Sequence, residues 1–144
     1  MCSDVPAHAS TYLLNTTIRG EFNQSLSLIV SDTGDIAALQ TYRICTDSAS
    51  CAARALTAGV DIEQPPGTTY LSLPEAVQRG LVTQKMVDDA VRRVLTHKFS
   101  LRLFDNPYVN TSLVDEVIVY LLSFSFFLPL MHSRKGKVPD HGRQ

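Results

Sequence analysis

Metal-ligand spacing, an excess of charge and an apolar run of membrane length are not found in this 144-residue sequence. The three cysteines, Cys2, Cys45 and Cys51, are an odd set with no ligand-like spacing, so neither a disulfide framework nor a zinc site is expected. Lysine and arginine number 13 against 14 acidic residues. That balance gives no electrostatic case for nucleic acid or an anionic membrane as partner. The longest apolar run, Val117 to Met131, has 15 residues and contains Pro129. It falls short of the ~20 needed to cross a bilayer. No basic start followed by an apolar core marks a signal peptide. Internal repeats and low-complexity tracts are absent as well. His8, His97, His132 and His141 are scattered, as ordinary surface or loop histidines are.

What is present centres on Leu28-Ile29-Val30-Ser31-Asp32-Thr33-Gly34-Asp35. Aliphatic residues follow one another without polar alternation, which predicts a short strand buried on both faces, as in parallel sheets. The run then breaks into a small polar residue, a carboxylate and a glycine turn. In parallel α/β folds the chemistry sits beyond the carboxyl ends of the strands, and Asp32 occupies that place. On local pattern alone two roles are open to it. Asp32 either starts a turn by bonding a backbone N–H near Gly34, or it is a carboxylate held on rigid backbone for chemistry. Asp35 reads as a turn or helix-capping residue.

Around this centre the chain alternates. A helix is expected from about Tyr12 to Arg19, with Leu13, Leu14 and Ile18 on one face and Gly20 as its stop. Ala37 to Arg43 reads as loop with a helical turn. Thr46 or Ser48 opens a helix in which Ala49, Ala52, Ala53 and Leu56 recur at helical spacing, and Gly59 ends it. The small side chains on that face suit close packing on a sheet. Val60-Asp61-Ile62 is a brief strand leading to Glu63, and loop hydrogen bonds are the expected role of Asp61 and Glu63. Ser72-Leu73-Pro74-Glu75 has the form of a capping box. Thr83 caps a last helix whose Val87, Ala90, Val91, Val94 and Leu95 form one stripe, with Asp88, Asp89, Arg92 and Arg93 outside it. This order of helices and strands predicts βα units around a parallel sheet.

Several of these motifs, in this order, resemble glycoside hydrolase family 3. They are Ser31-Asp32 at a strand end; Ala55-Leu56-Thr57-Ala58-Gly59-Val60-Asp61; Leu73-Pro74-Glu75-Ala76-Val77 with Gly80-Leu81-Val82-Thr83; and Ala90-Val91-Arg92-Arg93-Val94-Leu95 through Lys98-Phe99 to Leu103-Phe104-Asp105-Asn106-Pro107-Tyr108. Tyr12-Leu13-Leu14 with Arg19-Gly20-Glu21-Phe22 is similar to the segment preceding that family's nucleophile strand. Met1-Cys2-Ser3 and Val5-Pro6-Ala7 resemble a shortened copy of the loop before it. The resemblance runs from about Met1 to Leu113 and covers the last part of the family's barrel domain. Gly67-Thr68-Thr69-Tyr70 inclines it toward the β-xylosidase branch over the β-glucosidases.

The resemblance implies an α/β fold, a partial (β/α)8 TIM barrel made of its last strands and helices. Residues 1–113 are then the barrel fragment and residues 114–144 a divergent apolar and basic tail. It implies a retaining exo-β-glycosidase in which Asp32 attacks the anomeric carbon to form a covalent glycosyl-enzyme that water hydrolyses. A nucleophilic carboxylate must be ionised and held close to the sugar, and a strand end meets that need. The substrate is a β-linked oligosaccharide or aryl glycoside, with no cofactor, metal or nucleic acid, and the location is extracellular. A whole barrel takes about 250 residues, so the chain reads as a truncated piece. In the family the early strands supply the residues that grip the sugar, and the acid/base comes from a following domain or another loop. Substrate-binding positions are therefore left unassigned.

Two rival readings stand beside this one. The chain is either a non-catalytic remnant or carbohydrate-binding fragment, or a small tail-anchored protein whose apolar run is flanked by Arg134, Lys135 and Lys137. The aromatic-rich run, if exposed, predicts aggregation.

Overall fold

The computed structural model describes residues 5–114. The tail from 115 onward, with the apolar run, the membrane-anchor reading, His132 and His141, lies outside the described residues. Among the described residues no helix is long and apolar enough to cross a membrane. The chain divides into two compact units, residues 1–106 and residues 107–144. The described part of the second is short: a stretch ending in a 3-10 turn, Thr111–Leu113, opened by Asn110, whose Oδ1 accepts from the Ser112 N–H at 3.1 Å.

The first unit is helix-rich. A 3-10 turn, Ala7–Ala9, precedes a π-helix, Tyr12–Glu21; then come α1 (Asp35–Thr41), α2 (Ser48–Ala58), a 3-10 turn at Tyr70–Ser72, α3 (Leu73–Gln78) and α4 (Gln84–Ser100). The two expected strands are reduced to one parallel bridge, Val30 to Ile62. The Ser31 N–H donates to the Ile62 carbonyl at 2.9 Å, and the Ile62 and Asp61 N–H groups both donate to the Ile29 carbonyl. The direction of pairing is as expected. Burial on both faces is not: Val30 is 43 % exposed, because no described element covers its far side.

α2 is the centre of the packing. Its alanines let neighbouring backbone approach from two sides. On one side Cys51, Ala55 and Ala58 meet Ala9, Leu14, Ile36, Leu39 and Val60; on the other Ala49, Ala53 and Leu56 meet Ala76, Val82 and Ala90. Full burial of Ile36 and Leu39 explains why α1 forms where a loop was expected. Gly34, at φ +77° in the left-handed region, turns the chain into that helix, and Asp35 is its first residue. A carboxylate in a first helical turn faces the positive end of the helix dipole.

Several local expectations are corrected. Cys45 and Cys51 form a disulfide. Asp47, rather than Thr46 or Ser48, caps α2: its Oδ1 accepts from the Ser50 N–H at 2.8 Å, while Ser50 Oγ accepts from the Asp47 N–H at 3.0 Å. Arg79 pairs with the same carboxylate at 3.1 Å, and this contact with the Ser50 N–H holds the Asp47 pKa down at about 2. Ser72 makes no capping bond: it closes the 3-10 turn, its N–H donating to the Thr69 carbonyl at 3.0 Å, and the Glu75 side chain pairs with Arg79 at 3.2 Å. Thr83 does cap α4, accepting from the Met86 N–H at 3.3 Å. Along α4 the packed residues are Met86, Val87 and Ala90, whereas Val91 and Leu95 are exposed. The first helix is wider than expected. The Phe22 N–H reaches back five residues to the Thr17 carbonyl at 2.9 Å, so Gly20 lies within the helix and does not stop it. His8 is not a surface residue either; its ring is mostly buried, with Nδ1 3.8 Å from Asp35 Oδ2.

Gly59 ends α2 as expected, at φ +118°. A second constraint acts there. A Cβ at residue 59 would lie 2.5 Å from Arg19 Nη1 and 2.6 Å from Asn15 Oδ1. Gly59→Ala is expected to destabilise the chain by about 2–3 kcal/mol, combining backbone strain with displaced side chains. Thermal unfolding followed by circular dichroism checks this, and an unchanged midpoint would refute it.

Candidate active site

The bridge between the two extended segments sets the geometry. Both segments run the same way, so their carboxyl ends, Ser31-Asp32 and Ile62-Glu63-Gln64, finish side by side. Ser31 is buried and joins them: its Oγ accepts from the Gln64 N–H at 3.2 Å and donates to the Asp32 carbonyl at 3.0 Å. Thr33 Oγ1 donates to Gln64 Oε1 at 3.4 Å across the same gap. Asp32 itself is exposed at this rim, and its Oδ1 accepts from the Thr33 N–H at 2.7 Å. One carboxylate oxygen is thereby oriented by backbone, and Oδ2 has no hydrogen-bond partner among the described residues. An exposed carboxylate on a braced strand end can act as a nucleophile or bind a polyol; it can equally serve as a turn residue.

The neighbouring carboxylates are committed elsewhere. Glu63 accepts from the backbone N–H groups of Thr69 (3.3 Å) and Tyr70 (2.7 Å), the loop role expected of it. Tyr70 donates from its hydroxyl to the Val60 carbonyl at 2.8 Å. Its pKa is raised, chiefly by burial and further by Asp61 and Glu63, so it remains a proton donor. Asp35 faces His8.

Asp61 departs from the sequence-based expectation. Its side chain is 0 % exposed and lies between Arg19 of the π-helix and Arg93 of α4, each 2.7 Å away. It also accepts from the Ile29 N–H at 3.0 Å. Asp61 thus grips Ile29 twice, through its side chain and through its own N–H, and fixes the register of the bridge that carries Asp32. Burial lowers the Arg19 pKa, and the Asp61 carboxylate opposes that shift. Arg93, expected outside the packed stripe, is turned inward by this pairing. No periodic signal marks the cluster, because its members are 32 and 42 residues apart in sequence.

Among the described residues no group of three or more histidine, cysteine or acidic side chains could hold a metal ion. The candidate site is the rim formed by Ser31, Asp32, Thr33 and Gln64, braced from beneath by Asp61.

The model of the glycosyl hydrolase family 3 N-terminal domain matches residues 1–97. A xylan 1,4-beta-xylosidase of Xylanibacter ruminicola is 36 % identical over 105 residues, which is 72 % of this chain and 12 % of that protein. A lysosomal beta glucosidase of Dictyostelium discoideum is 38 % identical over 120 residues, covering 78 % of this chain and 14 % of the relative. Among solved structures, a beta-glucosidase from Listeria innocua superposes with a TM-score of 0.68 at 30 % identity, over 72 % of this chain and 14 % of its own. A beta-glucosidase from Erythrobacter marinus gives 0.66 at 39 % identity, with the same coverages. The chain therefore spans about one seventh of the length of the relatives it matches.

Proposed function

Because this chain belongs to glycosyl hydrolase family 3, we propose that it carries the nucleophile-bearing part of a retaining β-glycosidase, with Asp32 as the attacking carboxylate. The observation that carries the reading is the position of Asp32 at the carboxyl end of a parallel-paired segment, tied by Ser31 to the end of its neighbour. The architecture proposed is the last portion of a (β/α)8 barrel over residues 1–113, with residues 114–144 as a divergent tail.

In the reaction, the Asp32 carboxylate attacks the anomeric carbon as the bond to the leaving oxygen breaks, and water later displaces Asp32 with overall retention. Such chemistry uses two carboxyl groups about 5 Å apart. The chain supplies the first, and the acid/base comes from another part of a family barrel or a following domain. The proposed substrates are β-xylosides and β-glucosides. The relatives named above are β-xylosidases and β-glucosidases, and the Listeria enzyme has been solved with glucose and isofagomine and, as a mutant, with laminaribiose. The backbone N–H groups of Thr69 and Tyr70, part of the lead-in that resembles the xylosidase branch, are held by Glu63, and the Tyr70 hydroxyl by the Val60 carbonyl, so these contacts shape the loop.

The bond from the Thr33 N–H to Asp32 favours a second reading, a non-catalytic remnant in which Asp32 is a turn residue. Nitrophenyl β-xyloside and β-glucoside separate the two. Release of nitrophenol by the purified chain that Asp32→Asn abolishes supports the hydrolase, and release that Asp32→Asn leaves unchanged supports the remnant.

We further propose an extracytoplasmic location. Disulfides persist in oxidising compartments and are rare in the cytosol, and Cys45 and Cys51 are both buried in the core that they join. Protein isolated from its native source and denatured should leave both cysteines unlabelled by iodoacetamide until a reductant is added. Labelling without reductant would refute the placement.

A further inference from the structure

Three of the four asparagines stand in Asn-X-Ser/Thr triplets: Asn15-Thr16-Thr17, Asn23-Gln24-Ser25 and Asn110-Thr111-Ser112. The triplet is the acceptor signal for N-linked glycan, and it is used where the asparagine lies on accessible surface of a protein that enters the secretory route. The structure divides the three sharply.

The carboxamide of Asn15 is already used on both atoms. Its Nδ2 donates to the Thr57 carbonyl at 3.1 Å, and its Oδ1 accepts from Arg19 Nη1 at 2.8 Å. That oxygen is so close to the end of α2 that a single added carbon at Gly59 would sit 2.6 Å from it. A sugar on Nδ2 would part the π-helix from α2. Asn23 is the opposite case. It is exposed, sits at φ +53° in the turn that follows the π-helix, and its side chain makes no hydrogen bond among the described residues. Gln24 and Ser25 beside it are exposed as well. Asn110, in the second unit, is exposed, and its Oδ1 accepts both the Ser112 N–H (3.1 Å) and the Ser112 hydroxyl (2.7 Å). Its Nδ2 has no hydrogen-bond partner among the described residues.

We infer that Asn23 and Asn110 are N-glycosylation sites of the folded chain and that Asn15 is not. An independent observation points to the same compartment: the Cys45–Cys51 disulfide belongs to the oxidising lumen in which such transfer takes place. In the step itself, the asparagine Nδ2 attacks C1 of an oligosaccharide carried on a polyprenyl diphosphate. The C1–N bond forms as the bond from C1 to the diphosphate oxygen breaks. The diphosphate leaves with the electron pair, and the amide proton passes to a base of the transferase. Nothing is oxidised or reduced.

The inference rests on the extracytoplasmic placement proposed above, and its test separates the two. The full chain is expressed behind a cleavable secretion leader in a eukaryotic host. The secreted protein is then treated with peptide-N-glycosidase and mapped by mass spectrometry, which reads each glycan site as Asn converted to Asp. Two sites are expected, Asn23 and Asn110. Asn23→Gln and Asn110→Gln should each remove one glycan. Thr17→Ala, which destroys the first triplet without touching the Asn15 bonds, should leave the number at two. A glycan on Asn15 in the secreted protein, or a bare Asn23 or Asn110, overturns the assignment. Because the leader supplies the compartment, bare asparagines count against the sites alone, while the thiol labelling described above tests the native location.

Discussion

Asp61→Asn is expected to lower the stability of the chain by about 3–5 kcal/mol, the cost of removing one partner from a buried ion pair. The carboxylate is fully enclosed, and the arginines it serves are only 11 % and 19 % exposed. Removing its charge leaves two guanidinium groups facing each other across a neutral amide. Water reaches neither well enough to compensate. Against a typical total of 5–15 kcal/mol this is a large fraction, and the thermal midpoint should fall by more than about 10 °C. Arg93→Met should cost less, because Arg19 and the Ile29 N–H still satisfy the carboxylate. Equilibrium urea unfolding of the three proteins provides the comparison. If Asp61→Asn unfolds within about 0.5 kcal/mol of the parent chain, the cluster is not the brace described here.

Asp32→Asn should behave in the reverse manner. The side chain is exposed and its one hydrogen bond is to the Thr33 N–H, which an asparagine Oδ1 can accept equally well. Stability should therefore stay within about 0.5 kcal/mol, the usual range for surface substitutions. If Asp32 is the nucleophile, hydrolysis of nitrophenyl β-xyloside or β-glucoside should fall by on the order of 10³-fold or more, as loss of a group that forms the covalent intermediate does elsewhere. The pairing of a large kinetic loss with a negligible stability loss distinguishes a reacting carboxylate from a bracing one. Equal rates from the two proteins would end the assignment, whatever their absolute size.

The two aspartates show how differently the site was legible. Asp32 could be found because its signal is local: an aliphatic run that stops at a carboxylate and a glycine. Asp61 lies one residue from a comparable strand end, and its local pattern predicts only loop bonding. Its partners come from the π-helix and from α4, and no periodicity connects positions 19, 61 and 93. Arg93 is hidden from sequence reading for the same reason. The amphipathic pattern of α4 placed it on the solvent side, but a buried anion two elements away turned it inward. The disulfide escaped because an odd cysteine count carries no pairing rule; the pair forms where the chain entering α2 folds back on that helix's first turns.

The sequence by itself determined where α2 stops and α4 starts, the parallel sense of the two extended segments, the family and the place of the candidate nucleophile. All of these follow from residues within a few positions of one another, or from ordered motifs that need no coordinates. Only the tertiary structure decided which carboxylate is buried, which arginines serve it, which cysteines join and which asparagines are open to modification. Burial and pairing depend on which surfaces meet when α2 packs against its neighbours, and a desolvated charge takes whatever counter-charge the packing brings within about 3 Å, however distant along the chain.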